Sequence, residues 1–187
     1  LEVSPQGIRI TAADNAGLFY GVQTLFQMLP PMPVPGRSKH ELACIRIEDS
    51  PRFGWRGYML DSSRHFVTKA TVLRLLDALA AIKINVFHWH LVDDQAWRLD
   101  IAKYPQLVKP AAIKDPAYTQ AMGYYTAADV AEIVARARRL HITIVPEIEM
   151  PSHATQAASM LAEACCLDAD GKPLPAGATR EICLGSD

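Results

Sequence analysis

Ile84-Asn85-Val86-Phe87-His88-Trp89 is an apolar, strand-forming run that opens onto a polar one, His90-Leu91-Val92-Asp93-Asp94-Gln95. The same plan stands on either side of it. Upstream, Gly57-Tyr58-Met59-Leu60-Asp61 is apolar until its last residue, and Ser62-Ser63-Arg64 follows. Downstream, His141-Ile142-Thr143-Ile144-Val145-Pro146 leads into Glu147-Ile148-Glu149-Met150-Pro151-Ser152-His153. Between the first two runs, Thr68 is a candidate N-cap, and Val72, Leu75, Leu76, Leu79 and Ile82 share one helix face. Between the last two, a long loop spans about Val92 to Tyr125. Thr126 and Asp129 then resemble a capping box, and Val130, Ile133, Val134, Ala137 and Leu140 continue a helix. Strand–helix repeats with apolar strands predict a parallel sheet, either doubly wound or closed as a (β/α)8 barrel. The polar residues gather at the C-terminal ends of the strands, which favours the barrel, whose sites are built there.

The first fifty residues have a different rhythm. Ile8-Arg9-Ile10-Thr11 alternates like a strand. Asn15-Ala16-Gly17 is a turn or helix-start signal, and Leu18, Val22, Leu25, Phe26 and Leu29 form one helix face. Pro30, Pro31, Pro33 and Pro35 end that helix as a linker-like stretch. Leu42, Ile45 and Ile47 suggest a strand across Glu41 to Glu48. The expected organisation is α/β: residues 1–50 form the end of a small α+β domain, and 51–187 the first portion of a (β/α)8 TIM barrel, about three βα units. The chain has 187 residues and a complete barrel alone takes about 250. The chain is therefore expected to be a piece of a larger protein.

Composition narrows the function classes. Half the residues are hydrophobic and 21% are charged, which suits a packed core and not a disordered chain. A net charge of −1, from 19 basic and 20 acidic residues, gives no footprint for nucleic acid or an anionic membrane. No apolar run approaches the roughly 18 residues of a membrane-spanning helix. No Gly-x-Gly-x-x-Gly follows a strand and no Gly-x-Ser-x-Gly occurs, so neither a dinucleotide site nor a nucleophile elbow is supported. No cofactor is expected.

Three polar clusters can carry chemistry. The Arg64 guanidinium can bind a carboxylate, a phosphate or a sugar diol bidentately, or merely clamp Asp61. Alternation points His88 and His90 to one side and Trp89 to the other. His88, His90, Asp93 and Asp94 invite a metal, but no further histidine or cysteine stands at useful spacing, so no metal is expected. A hydrogen-bonded network under a polar ligand fits better. Trp89 is core or a stacking platform. Glu147 and Glu149 share a side and can serve as an acid/base pair, or buttress the loop by pairing with His or Arg. Cys165 or Cys166 with Cys183 can close a disulfide, or all can remain thiols.

Three stretches together resemble the family 20 glycoside hydrolases, the β-N-acetylhexosaminidases. They are Trp55 to Phe66 (WRGYMLDSSRHF), Asn85 to Arg98 (NVFHWHLVDDQAWR) and Val145 to Ala154 (VPEIEMPSHA). Gly17 to Leu25 (GLFYGVQTL) is similar to the helix of the small domain preceding the barrel. The resemblance implies exo-removal of terminal β-linked N-acetylglucosamine or N-acetylgalactosamine from glycans or chitooligosaccharides. The implied mechanism is retaining and substrate-assisted: the 2-acetamido oxygen attacks the anomeric carbon, an Asp stabilises the oxazolinium, and a Glu is acid then base. It assigns Arg64 to the sugar's O3 and O4 hydroxyls, and Asp93 and His153 to tuning the Glu. It favours a periplasmic or secreted location.

One departure matters. The family carries its catalytic pair in His-x-Gly-Gly-Asp-Glu, and this sequence contains neither Gly-Gly nor Asp-Glu. The expectation is that the full-length protein is the hydrolase, with the rest of the barrel on the same chain, and that these 187 residues alone are inactive. The alternative is a naturally truncated, non-catalytic sugar-binding or assembly module.

Overall fold

The computed structural model describes residues 1–30, 40–109, 123–175, 178 and 181–183. Pro31, Pro33 and Pro35 of the expected linker lie outside these residues. β1 (Glu2–Ser4) and β2 (Gly7–Arg9) form an antiparallel hairpin, and Gly7 supplies the positive φ of its turn. β1 escaped the sequence reading because three residues carry no periodicity. α1 (Asn15–Gln27) is capped by Asp14, whose side chain accepts from Gly17 N at 2.7 Å. β3 (Ile45–Arg46) adds to the free edge of β1. The strand expected across Glu41 to Glu48 shrinks to two residues because β1 offers only Glu2 and Val3 as partners.

A second, mixed α/β unit follows: β4 (Gly57–Asp61), α2 (Lys69–Ala81), β5 (Val86–Asp93), β6 (Ala96–Trp97), α3 (Ala127–Arg139), β7 (Thr143–Ile148) and α4 (Thr155–Met160). β5 is central, parallel to β4 on one side and β7 on the other. β5 runs beyond the expected Trp89 because β6 folds back onto its end, pairing Val92 with Trp97 and Asp93 with Ala96. The expected long loop therefore begins with a hairpin, and it holds a 3-10 turn at Pro105–Val108. β7 starts at Thr143 rather than His141, since His141 turns the chain at φ 56°.

The helices form as their caps and faces predict. Thr68 caps α2, which buries Val72, Leu76, Leu79 and Ala80. Ile82, expected on that face, is 65% exposed, because the helix stops at Ala81 and Lys83 turns at φ 62°. In α3, Thr126 Oγ1 accepts from Asp129 N and Asp129 Oδ2 accepts from Thr126 N, both at 3.1 Å. Ile133 and Ala137 face inward, but Val134 is exposed. The Lys69 ammonium, then Thr126, hold the Asp129 carboxyl at about 2. That support is present above the ordinary carboxylate value and lost as pH falls through 2. Thr126→Ala is expected to destabilise the protein by about 1 kcal/mol, read as a lower denaturation midpoint.

The core joins Phe87, Trp89, Leu91 and Val92 of β5 to α2, α3, Tyr125 and Ile142. The described residues among the first fifty pack at the N-terminal ends of the parallel strands. Gln27 Nε2 donates to Ala81 O at 2.7 Å, Lys83 pairs with Asp49 at 3.2 Å, Arg56 lies over the Tyr20 ring, and Phe19 packs on His141. The C-terminal ends stay open. The four cysteines are thiols, so the expected disulfide is not formed. Cys165 Sγ instead donates to Ala158 O at 2.5 Å, and burial pushes its thiol up.

Candidate functional site

The register places Asp61, His90 and Glu147 side by side on adjacent strands, with His88 two residues before His90. Alternation therefore puts these four side chains on one face of the sheet. Trp89 points the other way. It is 1% exposed, donates to Ser62 Oγ at 2.9 Å and packs edge-on to Tyr125, so it is core and not a stacking platform.

Arg64 clamps Asp61 and also spans to a second carboxylate. Nη1 pairs with Asp61 Oδ2 at 2.6 Å, and Nη2 reaches across to Asp93 Oδ2 at 2.5 Å. Asp61 Oδ1 also accepts from the backbone N–H of Ser63 and Arg64, each at 3.0 Å. Burial alone would raise the Asp61 carboxyl, but these bonds from Arg64 outweigh it and hold the group below the usual carboxylate range. The guanidinium remains half-exposed at the mouth of the sheet.

Asp93 is the hub. It is 1% exposed and every direction is taken. Oδ2 faces Arg64 and His90 Nε2 (3.0 Å), while Oδ1 accepts from Asp94 N at 2.7 Å and lies 3.3 Å from His153 Nδ1. His153 sits at φ 54° in the loop after β7, half-exposed. Thr155 Oγ1 donates to Asp94 Oδ1 at 2.6 Å and ties that loop to the end of β5. Arg64, Asp93 and His153, remote in sequence, are thus brought into one cluster.

Glu147 Oε2 lies 2.6 Å from His88 Nε2 and 2.9 Å from His90 Nδ1. Burial favours its neutral form, but His90 more than offsets this and holds it below the ordinary range. The geometry fits a buttress better than a general acid. His90, Glu147 and Glu149 bring donor atoms within 4.8 Å of one another, as do Asp93, Asp94 and His153. Ion pairs join His90 to Glu147 and His153 to Asp93 and Asp94 within these clusters.

Behind the site lies a layer to which the sequence reading gave no role. Arg98 is 6% exposed and donates to Ser62 O (Nε, 2.9 Å), Ser63 O (Nη2, 2.8 Å) and Gly123 O (Nη1, 2.8 Å). Its guanidinium lies over the Phe66 ring. The Tyr125 hydroxyl donates to Val67 O and lies 3.1 Å from Ser62 Oγ. The available signal was Trp97-Arg98, a cation directly after an indole.

Comparison with known proteins gives a consistent result. Residues 53–182 match the family model for glycosyl hydrolase family 20, catalytic domain, and residues 1–50 that for glycosyl hydrolase family 20, domain 2. A β-hexosaminidase of Porphyromonas gingivalis is 39% identical over 201 residues, covering 100% of the chain and 25% of that protein. An N,N'-diacetylchitobiase of Vibrio harveyi is 36% identical over 174 residues, covering 84% of the chain and 19% of that protein. The solved structure of Streptomyces plicatus N-acetyl-β-hexosaminidase in complex with Thio-NAglucal superposes with a TM-score of 0.81 at 39% identity. That match covers 98% of the chain and 38% of the solved one. The chain thus spans well under half the length of each of these relatives.

Proposed function

The chain belongs to glycosyl hydrolase family 20, and from that membership we propose that the whole protein is an exo-acting β-N-acetylhexosaminidase. In this reading it removes terminal β-linked N-acetylglucosamine or N-acetylgalactosamine from glycans or chitooligosaccharides by a retaining, substrate-assisted route. Residues 1–50 end the small domain and 51–187 begin a (β/α)8 barrel with its first three βα units. The remaining strands and the Asp-Glu pair come from further chain. A periplasmic or secreted location belongs to the same proposal. No helix among the described residues is long and apolar enough to cross a membrane.

The observation that carries the reading is Arg64 held between Asp61 and Asp93 at the open end of the strands. Each terminal nitrogen of a guanidinium has two N–H groups. One from each goes to a carboxylate, and one from each remains for the vicinal O3 and O4 hydroxyls of a sugar. His153 turns Nδ1 toward Asp93, which leaves Nε2 for the catalytic Glu. Asp93 thereby orients both the sugar-binding arginine and the histidine that tunes the acid.

The test is hydrolysis by the full-length protein. An aryl N-acetyl-β-glucosaminide should be cleaved and the matching aryl β-glucoside should not, because only the former carries the internal nucleophile. Cleavage of both at similar rates would refute substrate assistance. Arg64→Lys should lower kcat/KM about 10- to 100-fold, the equivalent of one charged hydrogen bond of roughly 1.5–3 kcal/mol, with a near-native Tm. Unchanged kcat/KM with a lowered Tm would reduce Arg64 to a clamp on Asp61.

A further inference from the structure

We propose that His90 is a positioning residue for this reaction: an imidazolium, hydrogen-bonded to Asp93 and ion-paired with Glu147, that orients the Asp93 carboxylate. The proposal rests on the hydrolase reading above. His90 is 3% exposed in the middle of β5. Its Nε2 lies 3.0 Å from Asp93 Oδ2 and its Nδ1 2.9 Å from Glu147 Oε2. A neutral imidazole has one N–H and one lone pair. It would serve one carboxylate and turn its lone pair on the other in a buried site, which is costly. Only the protonated ring suits both neighbours.

The Glu147 contact is an ion pair that lacks hydrogen-bond geometry. Glu147 is itself pinned from the far side by His88 at 2.6 Å. The charged and titratable groups around His90 are Asp61 on β4, Arg64 in the loop beyond it, His88 and Asp93 on β5, and Glu147 and Glu149 at the end of β7. Burial would lower the His90 pKa, but Glu147 and then Asp93 outweigh it and raise it above the ordinary histidine value. Stabilisation by this ion pair is full below the ordinary histidine pKa and is lost as pH rises through the raised one. With the proton gone, both carboxylates lose a cationic partner and one nitrogen turns a lone pair toward its neighbour. Asp93 can then rotate away from Arg64 and His153.

The experiment uses the full-length protein with 15N-labelled histidine, and His90→Gln to identify the resonance. Both ring nitrogens of His90 should remain protonated well above pH 6.5. In Glu147→Gln the proton should be lost on the order of one pH unit lower, a tenfold change in proton affinity, and the alkaline limb of kcat/KM should move with it. Glu147→Asp keeps the charge and should restore both; it serves alone if the other variants do not fold, because its resonance shift then identifies His90. A neutral His90 at pH 7 would overturn the proposal, as would a folded Glu147→Gln whose titration and limb stay in place. A wild-type protein inert toward β-N-acetylglucosaminides, with His90 still protonated, would instead sink the hydrolase reading and leave the ion pair standing.

Discussion

Residues 1–187 prepared alone are expected to release an aryl leaving group from a β-N-acetylglucosaminide no faster than a mock preparation. A general acid must carry a proton at working pH. Two carboxylates of this site are held toward the opposite state. Asp61 and Glu147 are both held below the ordinary carboxylate range by cationic partners, and Asp93 has its oxygens turned to Arg64, His90 and His153 rather than to an open face. No Asp-Glu pair occurs in these residues to supply the missing acid and the oxazolinium-stabilising group. General acid catalysis alone contributes about 10²–10⁴-fold, and loss of the second carboxylate deepens the deficit. Measurable release that disappears in Glu147→Gln would move the acid to Glu147 and refute this account.

Arg98→Met is expected to cost the full-length protein about 3 kcal/mol of stability, seen as a lower denaturant midpoint at unchanged slope. The replacement fills much of the space but strands the carbonyls of Ser62, Ser63 and Gly123 in a layer where Arg98 is 6% exposed. A buried group left without its partner costs about 1–3 kcal/mol, and some relief comes from removing a cation whose own burial disfavours its charge. The Ser62-Ser63 backbone runs directly into Arg64, so the folded fraction should also bind substrate less well. Arg98→Lys keeps the charge but not the three-way fork and should fall between the two. A wild-type midpoint in Arg98→Met would show that the three carbonyls find other donors.

Local chemistry explains what could be read without coordinates. Thr68 and the Thr126–Asp129 pair mark helix starts because a cap satisfies the backbone within three residues of itself. The period of two along β5 separates His88 and His90 from Trp89 in any extended strand, and the parallel order of β4, β5 and β7 follows from alternating strand and helix patterns. The grouping of polar residues at one end of the strands was equally visible, since a strand shows its own end in its composition. The amino-acid order therefore determined the longer strands and helices, their order, the family and the end of the sheet where the polar residues gather.

Distances between elements decided the rest. Nothing local says that β5 continues to Asp93, because that depends on β6 folding back to pair with it. Nothing local chooses between Arg64 as a clamp and Arg64 as a ligand-facing group. The structure shows a clamp on two carboxylates, because Asp93 arrives from another strand within 2.5 Å of a guanidinium that stays half-exposed. The sequence favoured Glu147 as a buttress over an acid, and only the fold supplied the partners, with His88 and His90 both within ion-pair distance of one of its oxygens. Arg98 stayed silent because three of its partners are backbone carbonyls, which every residue possesses and no pattern of side chains reveals. Charge state and hydrogen-bond partnership are pairwise properties of groups remote in sequence, so only the tertiary structure could assign them.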